Sequence, residues 1–316
     1  MMRRVRCFMP PTMKRAEQLP RLAISLIICL FVAIPDPSFQ SSTAPHEAQK
    51  HGAAAPHDAL TVKDVAFRSA SLNRDMSYRI YLPQKYAESA GRFPVLYLLH
   101  GIYGNFKDWD TQSHLRQYVQ YLDLIIVMPD GGNNWYVNSA TVPQDRYEDY
   151  IVKDLIAEVD GRYRTIAARE SRAIAGLSMG GYGSLNLALK HPELFVFAGS
   201  LSGALNAPSD LGPRQPEFEA SLLEAFGPPG NVARNENDVF LRLKQADVAR
   251  LPYIYLACGE ADAFIDLNRQ FAARLLAEHA RYETHDAPGG HDWQFWDKAI
   301  KEMLPALMRS LKRSHT

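Results

Sequence analysis

The chain has 316 residues, enough for one large domain or two small ones, and its 47% hydrophobic and 22% charged residues are the balance of a globule with a full core. Its 35 Lys/Arg offset 35 Asp/Glu, so the formal net charge is zero and nothing in the electrostatics points to a nucleic-acid partner.

The N-terminus reads apart from that globule. Residues 1–21 carry Arg3, Arg4, Arg6, Lys14, Arg15 and Arg21, and LAISLIICLFVAI at 22–34 is apolar throughout. A run of this length behind a basic start suits a signal-peptide core and is short for a membrane span, which needs about 20 residues. Met13-Lys14-Arg15 makes a conventional signal start, and Ser42-Thr43-Ala44 a cleavage site. Residues 1–44 are therefore expected to be a signal peptide, which makes the protein secreted or periplasmic. The alternative is an uncleaved N-terminal anchor, the one route to a membrane tether. Ile28 before Cys29 is not the small residue that a lipoprotein signal wants. Residues 1–44 hold six Lys/Arg and two Asp/Glu, so a chain trimmed there carries a net charge of −4 and a single cysteine, Cys258. One cysteine makes no internal disulfide, and the fold must rest on its core. Residues 45–60 end a stretch rich in Pro, Ser, Ala and His and read as a disordered linker. Its histidines, His46, His51 and His57, are too loosely placed for a metal site.

From residue 61 to 316 the chain alternates strand and helix patterns. TVKDVAF and MSYRIYLP show period-two alternation and predict antiparallel strands. PVLYLLH (94–100), LDLIIVMPD (122–130), SRAIAGLS (171–178), LFVFAGSLS (194–202) and PYIYLACG (252–259) are short, nearly continuous apolar runs, as suits strands buried on both faces. Helical patterns lie at 146–163, 179–190, 264–280 and 292–312. The expectation is an α/β fold with a mostly parallel sheet flanked by helices. Residues 204–250 break the rhythm with prolines, glycines and two short helix patterns, FEASLLEAF and DVFLRLKQA. An insertion before the next core strand would lie over the C-terminal edge of the sheet, where open α/β proteins bind ligands, and reads as a cap.

One stretch, IAGLSMGGYGSLNLALKH, puts Gly176-Leu177-Ser178-Met179-Gly180 between a strand run and a helix run. Ser178 there is either a helix N-cap or a nucleophile held on a sharp turn, and strand–turn–helix is the context a nucleophile elbow requires. Side chains at Gly176 and Gly180 would clash with neighbouring backbone in so sharp a turn, and Gly181 lets the helix approach the sheet. A serine hydroxyl needs a base, and the base an orienting acid. In this chain order the acid follows in LACGEAD and the base in PGGHDW. His291, on a loop after the strand RYETHDAP, is the base; its rival His285 lies within that strand. Asp262 is the acid, with Glu260 and Asp266 as alternatives. The oxyanion donors are the N–H groups of Met179, next to the nucleophile, and of Ile102, where His100-Gly101-Ile102-Tyr103-Gly104 turns sharply. His100 orders that loop. No metal or cofactor is called for.

With these residues in view, LLHGIYGNFKDW, IVMPDGGNNWYVNSA, AGLSMGGYGSLNLALKHPELF, CGEADAFIDLN and PGGHDWQFWDKAI together resemble the esterase D-like esterases. That family includes S-formylglutathione hydrolases, feruloyl and acetyl esterases, tributyrin esterases and mycolyltransferases. The resemblance covers residues from about 60 to 312 and implies an α/β-hydrolase fold with Ser178, Asp262 and His291 as triad and Ile102 and Met179 as oxyanion donors. It also implies that Trp135 and Tyr136 lie near the substrate pocket, and that Trp293 and Trp296 lie near it or brace the histidine loop. Core packing is the competing explanation for all four and the favoured one for Trp296, at helical spacing from Trp293; Trp109 is ambiguous in the same way. The substrate is then a small-molecule or carbohydrate-linked ester, of short-chain, acetyl or feruloyl type, cleaved outside the cytoplasm. An S-formylglutathione hydrolase, which works in the cytosol, or an acyltransferase of the mycolyltransferase type is the alternative. The transferases carry Glu as the acid, to judge from the resemblance, and Asp262 sits better with the hydrolases.

Overall fold

The structure is a computed structural model that describes residues 60–210 and 215–313. The expectations for residues 1–44, and for the linker up to residue 59, lie outside the described residues.

Eight strands form one sheet in the order β1-β2-β4-β3-β5-β6-β7-β8. Strands β1 (Thr61–Ser69) and β2 (Arg74–Leu82) form the antiparallel hairpin that their period-two pattern predicts, and β2 runs antiparallel to β4 (Ile125–Pro129). From there β3 (Val95–Leu99), β5 (Arg172–Leu177), β6 (Phe197–Leu201), β7 (Tyr253–Gly259) and β8 (Tyr282–Ala287) all run parallel. Every residue of β3, β4, β5 and β6 is buried. Helices cover both faces of these strands, so neither face tolerates polar alternation and the sequence reads as unbroken apolar runs.

Between β3 and β4 the chain forms only two short helices, α1 (Asp108–Thr111) and α2 (Leu115–Val119), too brief to leave a helical period in the sequence. The pattern at 146–163 becomes α3 (Tyr147–Asp149), a π-helical stretch (Tyr150–Leu155) and α4 (Ile156–Arg162). Helix α5 (Met179–Lys190) follows β5 directly. Helices α6 (Pro216–Phe226), α7 (Val232–Glu236) and α8 (Val239–Gln245) lie in the excursion between β6 and β7. Helix α9 (Ile265–Ala277) and helix α10 (Trp293–Ser310) follow β7 and β8.

The core has two layers. On one face of the sheet Tyr182, Leu185 and Leu187 of α5 pack with Phe271 and Leu275 of α9 and with Phe226, Val239 and Leu243 of the excursion. On the other, Trp296, Ile300, Met303 and Leu307 of α10 pack with Trp109 of α1 and Leu115 of α2. The sheet's C-terminal edge lies between these layers, and the three parallel strands β5, β7 and β8 all lead into loops there.

Candidate active site

Ser178 stands where β5 becomes α5, with φ 52° and ψ −115°, a left-handed backbone uncommon for a residue with a side chain. It occupies the N-cap position, yet its side chain makes no cap hydrogen bond. The elbow is enforced by close backbone approach. A Cβ on Gly176 would lie 2.5 Å from the Gly180 carbonyl oxygen, and one on Gly180 would lie 2.6 Å from the carbonyl oxygens of Leu99 and His100. Backbone atoms of a central strand cannot give way, so the turn can be this tight only with glycine at both places.

The histidine and acid arrive on adjoining loops. Glu260 N–H donates to Ala287 O and Ala261 N–H to Gly289 O, both at 2.9 Å, so the loop after β7 is tied to the loop after β8. Asp262 then lies 2.9 Å from His291, Oδ2 to Nδ1, and His291 Nε2 lies 2.9 Å from Ser178 Oγ. Asp262 is completely buried in its side chain, and Phe264 N–H donates to its Oδ1 at 2.8 Å. Burial alone would push its carboxyl up; the bond from His291, with that from Phe264 N–H, outweighs burial and holds it below the usual carboxylate range. An ionised carboxylate only accepts, so His291 Nδ1 donates to it and Nε2 is left to accept the Ser178 hydroxyl proton. Phe264 and Trp296 stand edge-on to the imidazole, with ring centroids 5.1 and 5.0 Å away. Trp293 packs between Trp296 and Trp109 at 5.4 and 5.2 Å, so this tryptophan group braces the histidine loop.

The alternatives do not meet the serine. Glu260 is exposed, and Asp266, 87% exposed in its side chain, pairs with Arg269. His285 stacks on Tyr255 along β8, 4.8 Å between centroids.

A cavity of about 150 Å³ opens beside Ser178, lined by Gly101, Ile102, Gly104, Asp108, Leu177, His291, Trp293 and Trp296. Ile102 stands in this wall and Met179 begins α5 immediately after the serine. The loop carrying Ile102 is pinned at several points. Both ring nitrogens of His100 are engaged, Nδ1 with Gly101 O at 2.7 Å and Nε2 with Gly131 N–H at 2.8 Å. Tyr103 N–H donates to Asn133 Oδ1 at 2.8 Å, and Gly104 N–H to Gly101 O at 3.2 Å. His100 thus orders the loop, which is what its position before the serine suggested.

Trp135 and Tyr136 correct the pocket expectation. Neither lines the cavity; they are 1% and 0% exposed. The Tyr136 hydroxyl donates to His100 O at 3.0 Å, and Trp135 packs against Tyr182, Phe218 and Phe226 while its Nε1 donates to Ser221 Oγ at 3.1 Å. Both have left-handed backbone, φ 57° and 56°, with the Tyr136 ring turned to the His100 loop and the Trp135 ring to α5 and α6. No residue of 204–250 lines the cavity among those described. Instead α8 packs on α5 and α9, and α6 meets α5 through Phe226 against Tyr182, although Ala204 N–H, at the start of the excursion, donates to Ser178 O at 3.2 Å. Sequence reasoning missed Phe264, Asp108 and Leu177 as neighbours of the site. Phe264, two residues past the acid, and Leu177, next to the nucleophile, carried a usable signal, while Asp108 carried none. Among the described residues no group of three or more His, Cys, Asp or Glu could hold a metal ion.

The eight-stranded sheet, the elbow and the loops gathered at its C-terminal edge define an esterase of the α/β-hydrolase fold. The chain belongs to the family described as "Putative esterase", whose model matches residues 69–307. It is 28% identical over 258 residues to an acetyl esterase of Caldicellulosiruptor saccharolyticus, covering 76% of this chain and 96% of that one. Its fold matches FphF, a fluorophosphonate-binding serine hydrolase of Staphylococcus aureus, with TM-score 0.72 and 25% identity over 78% of this chain and 98% of that one. A ferulic acid esterase matches with TM-score 0.69 and 26% identity over 80% and 98%.

Proposed function

We propose that this carboxylic ester hydrolase works through an acyl-enzyme on Ser178 and acts on short-chain, acetyl-type esters outside the cytoplasm. One observation carries the reading: an unbroken chain from Asp262 through His291 to Ser178, 2.9 Å at each step, beside a cavity. Ser178 Oγ attacks the ester carbonyl while His291 Nε2 takes its proton. The N–H groups of Ile102 and Met179 receive the oxyanion. The tetrahedral adduct collapses, His291 returns the proton to the departing alcohol, and the acyl group stays on Ser178. Water then gives its proton to His291 and attacks the acyl-enzyme; the acid leaves and Ser178 regains the proton. Asp262 holds the tautomer and stabilises the imidazolium in both halves.

The cavity's size supports a small acyl group. At about 150 Å³ it is well under the 300–1,000 Å³ of pockets for drug-sized ligands. Ile102, Leu177, Trp293 and Trp296 give it apolar walls. The acetyl esterase among the similar proteins supports an acetyl group, and the ferulic acid esterase makes feruloyl the larger alternative, which preferred turnover of methyl ferulate would establish. The location outside the cytoplasm rests on the basic and apolar pattern of residues 1–34.

The test is turnover of p-nitrophenyl esters from C2 to C12, of methyl ferulate and of S-formylglutathione, by the native protein and Ser178→Ala. Expected is a maximum at C2 to C4, and a loss of at least about 10⁴-fold in the variant at unchanged Tm. A fully active Ser178→Ala enzyme overturns the site. Preference for S-formylglutathione or for long chains moves the substrate class, and ester products with added alcohols would make it a transferase.

A further inference from the structure

Two serines at neighbouring strand ends hold left-handed backbone: Ser178 after β5, at φ 52°, and Ser202 just past β6, at φ 51°. The elbow explains the first. Nothing in the proposed chemistry explains the second, and strain of this kind persists only where the surroundings enforce it.

Ser202 is wholly buried, and its N–H donates to Ala257 O at 2.7 Å, which lays it against the end of β7 next to Cys258. Its hydroxyl makes no well-formed hydrogen bond, a costly state for a buried polar group. Geometry sets it against the acid loop: Asn268 Nδ2 bridges Gly203 O and Phe264 O at 3.0 and 2.9 Å, and Asp262 N–H donates to Gly259 O at 3.0 Å, two residues past the Ala257 that Ser202 N–H reaches, so the hydroxyl neighbours the Asp262 carboxylate and the Cys258 thiol. In a regular strand Ser200 and Ser202 would share a face. Ser200 Oγ does face α5, where it would meet a Cβ on Gly181 at 2.8 Å. The left-handed turn at Ser202 breaks that alternation and brings the second hydroxyl to the acid instead.

The Asp262 carboxylate has room for it. Oδ2 accepts from His291 and Oδ1 from Phe264 N–H, whereas an ionised carboxylate accepts at about four positions. Burial works against the charged form, and the Ser202 hydroxyl is among the groups that favour it, after His291 and Phe264 N–H.

We infer that Ser202 is a positioning residue for the acid: a small rotation puts its O–H on the Asp262 carboxylate and holds that carboxylate in place while His291 takes on positive charge during turnover. The inference rests on Ser178, His291 and Asp262 acting as proposed above. It requires Ser202 to influence the rate of the chemical steps and not the binding of substrate.

Four variants of the full protein test it on p-nitrophenyl acetate: Ser202→Ala, Ser202→Gly, Ser200→Ala and Ser178→Ala. Both Ser202 variants are expected to lower kcat about tenfold with KM held within about twofold. Glycine adopts the left-handed backbone freely, so a loss shared by Ala and Gly belongs to the hydroxyl and not to strain. Ser200→Ala removes an equally buried hydroxyl two residues earlier, inside β6, and should keep its kcat. A dead Ser178→Ala enzyme beside Ser202 variants of native kcat overturns this inference alone. So does full kcat in Ser202→Gly with loss only in Ser202→Ala, or a change confined to KM. An active Ser178→Ala enzyme overturns the site reading and takes this inference with it.

Discussion

Helix α5 and the excursion at 204–250 are packed against each other and are held by different means. All residues of α5 from Met179 to Leu189 are buried, and its first turn is fixed by backbone closing on backbone at Gly176 and Gly180. The excursion exposes large apolar side chains, Leu223, Val232 and Leu241 among them, and is tied on by side chains. Tyr182 hydroxyl donates to Asn237 O at 2.8 Å, Trp135 Nε1 to Ser221 Oγ at 3.1 Å, and Ser139 Oγ to Glu224 O at 2.5 Å. A site whose nucleophile sits on the first kind of structure keeps its geometry while the second kind changes sequence. Substitutions that separate these two kinds of support should differ in severity.

The severest is Gly180→Ala. Its methyl group would stand 2.6 Å from two main-chain oxygens at the end of β3, and neither β3 nor α5 can retreat without opening the core. A loss of at least about 3 kcal/mol is expected, above the usual range for overpacking because backbone and not side chains must shift. Urea unfolding, or failure to obtain folded protein, checks it. A variant of native stability would mean that the elbow is looser than its contacts imply.

The joint between the regions is the next target. Glu148 on α3 is buried beneath the C-terminal end of α5, where it accepts from His191 Nε2 at 2.9 Å and from Lys190 Nζ, which also reaches Asn237 Oδ1 at 3.3 Å. Burial raises the Glu148 carboxyl, but the His191 bond and the Lys190 charge overcome it and hold the carboxyl below its ordinary value of 4.5. A depressed carboxyl contributes stability that is fully present above 4.5 and is lost as pH falls through the folded-state value. Glu148→Ala should therefore cost about 2–3 kcal/mol at pH 7, less than a fully enclosed pair because Lys190 is partly exposed. The gap in Tm between variant and native protein should close in acid below 4.5. A gap that stays constant with pH would assign the loss to packing alone.

These contrasts track what could be read from sequence. The buried strands were legible because double-sided burial leaves unbroken apolar runs, and α5 because a helix-forming run, SLNLALK, follows the elbow glycines. Ser178, Asp262 and His291 could be singled out because each sits at a strand end with turn residues beside it. Helices α1 and α2, of four and five residues, left no period, and nothing local announced the π-helical stretch at Tyr150–Leu155. Trp135 and Tyr136 were misplaced for a physical reason: the same aromatic residues suit a pocket wall or a core, and only their left-handed backbone decides. Ser202 was invisible for the same reason, since its role comes from a φ of 51° and from a neighbour 60 residues further on.

Trp135→Phe tests that correction with a smaller effect. Phenylalanine keeps most of the ring contacts with Tyr182, Phe218 and Phe226 and loses the bond to Ser221. A destabilisation of about 1–2 kcal/mol is expected, with the ester chain-length preference unchanged. A changed preference at native stability would return Trp135 to the substrate pocket.

The smallest expected signal is the silence of Cys258. It is the last residue but one of β7, at 1% exposure, and burial, with the nearby Asp262 charge, pushes its thiol from 9.0 up to about 12. Only the thiolate reacts readily, so at pH 8.5 native Cys258 should resist iodoacetamide over hours while an unfolded-state cysteine is labelled within minutes. The folded state keeps a proton that the unfolded thiol gives up, so this group also makes stability fall as pH rises between 9.0 and about 12. Peptide mapping of the labelled site against urea concentration then reports opening of β7 itself. Labelling that coincides with global unfolding places the acid loop on the rigid side of the comparison. Labelling at far lower urea would instead place the Asp262 loop with the excursion, and the distances of 2.9 Å around His291 would describe only part of the population.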